Sequence, residues 1–314
     1  MKLLILMMSC NKDHFIKQSK ISKESLRRQI EHHKLENDIM VYDYVGDAES
    51  NHIDGSTIYL TSNDDSNHTF DKTYDCIKFI NSQSIEYDYI FRTNTSTFIN
   101  VKLLYEFVKF VQPNDVLWTS EIYSTYDIKC PEIYDPYPRG NGLILSKTIL
   151  DIIMNHYDDS NNTHITHEIF KKAVNVSDDG CVGTILNTYY KKEVVNHIKS
   201  FTHGWYKVYD KFIHDRGNKI CNWDNICADK DFIQYFITIQ LKDYINKDDL
   251  CEDKFKKLTD NILNVEYDTS FVTAVLNYSF NPSIYVGYLS KMLYADYNVW
   301  LNFYYNNKIK QQST

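Results

Sequence analysis

Glycine is scarce in this chain, with nine residues in 314. A dinucleotide fold marked by Gly-x-Gly-x-x-Gly, a P-loop and a Gly-x-Ser-x-Gly elbow all need glycines at fixed offsets, and none of these patterns occurs. Closely spaced cysteines are also missing. The seven cysteines, at positions 10, 76, 130, 181, 221, 227 and 251, form no Cys-x-x-Cys pair. An odd number without tight spacing argues against a secreted disulfide framework and reads as reduced thiols in the cytoplasm. Cys221 and Cys227 lack partners at zinc spacing. Basic charge is in deficit: 34 Lys and Arg face 42 Asp and Glu, a formal net charge of −8. This argues against a nucleic-acid partner, which calls for a basic face. No apolar run reaches the ~18 residues of a membrane span. The opening Met1-Lys2-Leu3-Leu4-Ile5-Leu6-Met7-Met8-Ser9-Cys10 is short for a signal peptide and reads as a buried first strand.

Apolar residues are plentiful. At 43% hydrophobic and 15% aromatic, the chain can bury a large core. Short apolar segments bounded by Asn, Asp, Ser or Gly predict strands at Lys2–Ser9, Ile39–Val45, Thr57–Leu60, Tyr87–Arg92, Val116–Ser120 and Gly142–Leu145. Helical spacing predicts helices over 22–35, 69–81, 101–111, 147–156 and 178–191, with Thr69, Asn100 and Ser146 as caps. The alternation implies an α/β fold with a mostly parallel sheet flanked by helices. From residue 228 the pattern reads as helical only, at Asp231–Ile245, Leu250–Leu263, Thr269–Asn277 and Ser283–Tyr305. The expected organisation is therefore a domain over 1–227 and a helical C-terminal region over 228–314. The last helix reads as packing on the first domain, with a homodimer contact or a membrane-surface face as alternatives. Heavy use of Lys, Asn, Ile and Tyr fits an AT-rich genome, such as a low-GC bacterium or a large DNA virus; for a virus the compartment would be the host cytoplasm.

Three stretches combine into a candidate site. Ile90-Phe91-Arg92-Thr93-Asn94-Thr95-Ser96-Thr97-Phe98-Ile99-Asn100 carries small polar residues between a strand and a helix. Tyr137-Pro138-Arg139-Gly140-Asn141-Gly142 has two glycines that let backbone approach a neighbour closely. Asp178-Asp179-Gly180 is an acidic pair at a helix start, where the dipole favours carboxylates in any case. His164-Ile165-Thr166-His167-Glu168 lacks the His-Glu-x-x-His order and reads as a surface helix start. Trp118 reads as core, with sugar stacking as the alternative.

In order and spacing, these stretches resemble the β-1,3-galactosyltransferase and fringe family of nucleotide-sugar glycosyltransferases over roughly residues 1–200. Tyr87-Asp88-Tyr89 and Phe98-Ile99-Asn100 match its first motif. Pro138, Gly140, Gly142 and Ser146 match its second, and Asp179 and Gly183 its third, with Asp178 in the Glu position; Phe70-Asp71-Lys72-Thr73-Tyr74 matches an upstream helix. The resemblance implies a GT-A-like fold, a UDP-sugar donor, a glycan or other hydroxyl acceptor and inversion at the anomeric carbon. It implies Asp179 as general base, with Asp178 second. The chain departs from the family where the metal-binding Asp-Asp-Asp stands: here it is Asn94-Thr95-Ser96. Neutral oxygens are weak ligands for hard divalent ions. No metal cofactor is therefore expected, with Mn²⁺ or Mg²⁺ as the alternative if the divergent motif still binds one. Metal-independent GT-A enzymes such as the core-2 branching glycosyltransferases are a precedent at family level. Lys72, Arg92, Arg139 and Arg216 are the candidate replacement cations. Asn94, Thr95 and Ser96, the loop with Ser9 and Asn11, Gly140, Gly142 and His214 complete the expected donor contacts. A GT-A domain that binds without turnover, or a structural protein, are the competing readings.

Overall fold

A computed structural model describes residues 1–66, 68–111, 116–120, 122–123, 137–138, 140–157, 178–201, 203–205, 237–241 and 251–265. The first strand, β1 (Leu3–Met8), explains the architecture. Leu3, Ile5 and Met7 lie in one apolar cluster and Leu4 and Leu6 in another, all fully buried. A strand with both faces covered needs an unbroken apolar run, as parallel strands between helix layers do. Each such side chain contributes about 1.5–3 kcal/mol by leaving water.

The chain continues through α1 (Asp13–His32), β2 (Ile39–Val45), β3 (His52–Asp54), β4 (Thr57–Tyr59), α2 (Thr69–Ser82), β5 (Tyr89–Asn94), β6 (Thr97–Ile99), α3 (Val101–Phe110), β7 (Leu117–Thr119), β8 (Ile122–Tyr123) and β9 (Tyr137–Pro138). Then come β10 (Leu143–Ser146), α4 (Lys147–Tyr157), α5 (Asp178–Tyr190), a 3₁₀ turn (Lys191–Glu193), α6 (Val194–His197), β11 (Ile198–Ser200), β12 (His203–Trp205), β13 (Thr238–Gln240) and α7 (Glu252–Ile262). The main sheet has eight strands in the order β11-β7-β10-β5-β1-β2-β4-β3. The pairs β1/β2, β1/β5, β2/β4 and β11/β7 are parallel, while β10 runs against β5 and β7, and β3 against β4. Residues of α1, α3 and α7 join the cluster of Leu3, Ile5 and Met7; residues of α2, α4 and α5 join that of Leu4 and Leu6. This is the α/β architecture expected, with helices on both faces.

Two of the three expected caps form: the Asn100 side chain accepts from Leu103 N–H (3.2 Å) and Ser146 Oγ from Ile149 N–H (3.3 Å). Thr69 is corrected: it is the first residue inside α2, which follows His68 without a side-chain cap, and its hydroxyl accepts the Asp178 N–H instead. The expected helix over Asp231–Ile245 is corrected in its described part. Ile237, Ile239 and Leu241 are buried in the core, and Thr238 and Gln240 alternate with them. That is a period of two, and β13 pairs with β6 and β12 in a second sheet. The expected helix over Leu250–Leu263 is present as α7. It packs on α1 through an Arg28–Asp260 ion pair (2.7 Å) and a Ser25–Thr259 hydroxyl contact (2.6 Å). The expected helices Thr269–Asn277 and Ser283–Tyr305 lie outside the described residues. No helix among the described residues is long and apolar enough to cross a membrane.

Gln29 joins the two halves of this layer. It is fully buried on α1, donates to Ile99 O (3.0 Å) and accepts from Val101 N–H (3.0 Å), at the junction of β6 and α3. Gln29→Leu keeps the volume but removes both bonds inside the core. Urea unfolding should show a loss of about 2–4 kcal/mol with an unchanged slope, from two buried backbone groups losing their partner. A loss below about 0.5 kcal/mol would contradict this role.

Candidate functional site

The order β5-β1-β2 places the chain's reversal between β1 and β5: from β1 the chain goes to β2 on one side, and β5 returns on the other. In open α/β sheets the loops at such a point part at the carboxyl ends of the strands and leave a crevice. The loop Ser9–Lys12 after β1 and the turn Thr95–Ser96 after β5 both stand there. Strand β10 is antiparallel to β5, with Leu143 opposite Arg92, so its leading loop Gly140-Asn141-Gly142 meets the same edge. The first turn of α5, with Asp178 and Asp179, reaches it too, where Asp178 N–H donates to Thr69 Oγ1 (3.2 Å).

On the β1 side, a buried ion pair joins Lys72 to Asp64, with side-chain exposures of 3% and 4%. Lys72 Nζ also donates to Ser9 O (2.7 Å), and Asp64 accepts the backbone N–H of Asn11. The pair therefore fixes both ends of the loop Ser9–Asn11. Asp64 arrives here because Gly46, just beyond β2, lets the following loop lie against it: a Cβ on Gly46 would stand 2.3 Å from Ser62 O. Burial pushes the Asp64 carboxyl up, but Lys72 and the Asn11 N–H outweigh it and hold the group below its ordinary range.

On the β5 side, Arg92 is 1% exposed, pairs with Asp178 and donates from Nη1 to Gly140 O. The N–H of Gly140 donates to Asp179 Oδ2 (3.1 Å). Burial pushes Asp178 up to about 6 against the pull of Arg92, with Asp179 adding to the rise. Asp179 is less buried than Asp178 and also accepts its own helix's Gly180 N–H (2.9 Å).

Asn94, Thr95 and Ser96 form a closed turn. Asn94 Oδ1 accepts from Ser96 N–H (3.2 Å), Ser96 Oγ (2.9 Å) and Thr97 Oγ1 (2.8 Å). Thr95 O accepts from Gln18 Nε2 (3.1 Å), and Ser96 Oγ from Gln240 Nε2 (3.1 Å). A carbonyl oxygen with two lone pairs that already meets three donors has nothing left for a cation. The neutral turn thus does not fit a divalent metal, for which carboxylates would be needed. Asn94 Nδ2 points the other way, to Asn141 Oδ1 (3.2 Å).

No protein-family model matches the chain, and no curated protein sequence does. Among solved structures, the chain is similar to a glycosyltransferase involved in the glycosylation of the major capsid of PBCV-1, at 10% identity and a TM-score of 0.41, covering 82% of this chain and 99% of that one. It is similar to mouse xyloside xylosyltransferase 1 in its apo form, at 11% identity and 0.40, covering 77% and 98%. It is also similar to the glycosyltransferase GlyE of Streptococcus pneumoniae TIGR4, at 11% and 0.38, covering 90% of this chain and 64% of that chain. Likenesses this remote decide nothing about the chemistry of this chain, which rests on its own residues.

Of the residues singled out from sequence, Ser9, Asn11, Lys72, Arg92, Asn94, Thr95, Ser96, Gly140, Gly142, Asp178 and Asp179 are brought to this one edge. Lys72 and Arg92 do not stand ready as free cations, because each already holds a buried carboxylate. Trp118 is core, packed edge-on against Phe107 (5.1 Å). Arg139, His214 and Arg216 lie outside the described residues. Sequence reading missed Asp64, which sits in a run of Ser, Asn and Asp with no periodicity to mark it. It also missed Gln18, in a helical stretch whose polar face gives no sign of burial. Asn141 had a signal, its place between the two glycines; among the described residues its Nδ2 is buried without a partner.

Removing Asp64's charge leaves a buried ammonium unpaired. Asp64→Asn should cost about 3–5 kcal/mol at pH 7. With its folded pKa below the unfolded value, Asp64 stabilises above that unfolded value and loses this contribution as pH falls through the folded one. The gap between wild type and variant in urea unfolding should thus narrow in the acid range. A pH-independent gap would contradict the ion pair.

Proposed function

We propose that the protein is an inverting glycosyltransferase that moves a sugar from a UDP-sugar to a hydroxyl acceptor without a bound metal. The observation that carries this reading is the contact between Gly140 and Asp179 (3.1 Å), 39 residues apart, at the crevice between β1 and β5. It joins a glycine loop, which permits close approach of a ligand, to a carboxylate able to take a proton.

In this reading Asp179 accepts the proton of the acceptor hydroxyl as its oxygen attacks the anomeric carbon. The bond from that carbon to the diphosphate breaks on the opposite face, and UDP leaves with the electron pair. Asp179 stands in the first turn of α5, and the acceptor hydroxyl must be held within hydrogen-bond reach of it. The leaving diphosphate needs positive charge. Lys12 and the N–H groups of the first turn of α1 supply it at the end of β1, where no side chain caps the helix. Arg139, His214 and Arg216 are further donor contacts in this proposal, as are Ser9 and Asn11 in the loop that Lys72 and Asp64 brace.

The alternative is a GT-A-like domain that binds nucleotide-sugar or glycan without turnover. The neutralisation of both Lys72 and Arg92 by carboxylates favours it. Asp179→Asn separates the two. With a panel of UDP-sugars and hydroxyl acceptors, released UDP should fall by about 10²–10⁴-fold in the variant. UDP affinity should stay within about threefold, because the carboxylate is not a donor contact. Equal, trace release of UDP by both proteins, with binding intact, would favour the domain without turnover.

A further inference from the structure

We infer that Arg92 is a positioning residue: its guanidinium ties Asp178 to the Gly140 carbonyl so that the N–H of the same glycine fixes the carboxylate of Asp179. This rests on the proposed role of Asp179 as base, and it gives Arg92 a task other than meeting the donor diphosphate.

The geometry is a closed set of contacts. A guanidinium is a rigid planar fork that can serve two acceptors at once. Here Nη1 takes the Gly140 carbonyl and Nη2 takes Asp178 Oδ2. Gly140 then uses its other polar group, the N–H, on Asp179 Oδ2 at 3.1 Å. One residue's carbonyl and amide thus link the cation to the second carboxylate. Glycine is needed at the centre: a Cβ there would stand 2.7 Å from Arg92 Nη1, 3.4 Å from Asp178 Oδ1 and 3.5 Å from Asp179 Oδ2. The same fork explains how two adjacent carboxylates coexist, since an opposite charge offsets their repulsion. At 1% exposure, Arg92 could reach a diphosphate only by giving up Asp178 and leaving that carboxylate buried alone.

The surrounding charged and titratable groups come from each neighbouring element. Tyr44 of β2 faces Arg92 and Asp178. From α2 come Lys72, held by Asp64, and Asp71, which lies with Asp178 and Asp179 around Cys181 of α5. From β1, the Met8 sulfur is 3.2 Å from Arg92 Nη2. Lys72 already has its partner, so Arg92 is the cation assigned to the Asp178–Asp179 pair among the described residues.

The test combines kinetics with carboxyl-carbon NMR titration of aspartate-labelled protein, the two signals assigned with Asp178→Asn and Asp179→Asn. In Arg92→Gln the Asp178 midpoint should rise by about one pH unit or more, because its paired opposite charge is lost. Its kcat should fall about 100-fold, with donor KM within about threefold. Arg92→Lys keeps the charge but replaces the planar two-nitrogen fork that spans Gly140 O and Asp178 with a single nitrogen on a shorter stem, so the midpoint should hold while kcat falls about tenfold. If Arg92→Gln does not fold, Arg92→Lys and Gly140→Ala carry the test. Gly140→Ala pushes Nη1 off the loop with all charges kept, and should lower kcat at unchanged donor KM. A tenfold rise in donor KM with kcat retained would assign Arg92 to the diphosphate and overturn the inference. So would an unshifted Asp178 midpoint in Arg92→Gln, or full kcat in Arg92→Lys. If wild type releases no UDP with any donor and acceptor, the transferase reading fails, and the NMR arm still decides whether Arg92 holds Asp178.

Discussion

A guanidinium almost wholly removed from water must be neutralised where it stands, and the crest of this sheet is organised around that need. Born-type desolvation of a lone buried ion costs several kcal/mol even after relaxation, so Arg92 requires Asp178 at its side. Asp178 can arrive only if α5 starts against β5. Glycine at 140 then leaves the guanidinium its place, since a Cβ there would stand 2.7 Å from Arg92 Nη1. Asp179 is left as the outer member of the pair, less buried than its neighbour and met by the backbone N–H groups of Gly140 and Gly180.

A second buried pair repeats the arrangement on the other side of the crevice. Lys72 and Asp64 brace the backbone of the loop after β1, from Ser9 O to Asn11 N–H. Between the two pairs lies the turn of Asn94, Thr95 and Ser96, closed by its own hydrogen bonds and by Gln18 and Gln240. This is why the turn carries no charge. A carboxylate at position 94 would face the loop of Asn141, and among the described residues Arg92 and Lys72 are already engaged by Asp178 and Asp64. The neutral turn and the paired cations are two sides of one electrostatic balance among the described residues.

Much of the fold was legible because β1 is buried on both faces and so reads as an unbroken apolar run. Asn100 and Ser146 marked helix starts by cap chemistry. The strand β13 was missed although Ile237, Thr238, Ile239, Gln240 and Leu241 alternate: a five-residue signal was read at the helical period of its neighbours. At the site, spacing correctly singled out the residues that gather at one edge but not what each one touches. Arg92 and Lys72 look alike as candidate phosphate ligands in sequence. Only burial and their distance to Asp178 and Asp64 reveal them as internal counter-ions. Asp64 could not be foreseen, because its partner is chosen by how the loop crosses Gly46.

The most direct measurement is calorimetric titration of UDP into the intact protein in EDTA, repeated with Mn²⁺ at a saturating concentration. The proposed metal-independent site predicts binding in EDTA, with Kd moved by less than about threefold when Mn²⁺ is added, since the turn of Asn94, Thr95 and Ser96 offers no carboxylate to hold the ion. Binding that appears only with Mn²⁺ would contradict the account and require carboxylates from elsewhere in the chain to form the missing cage.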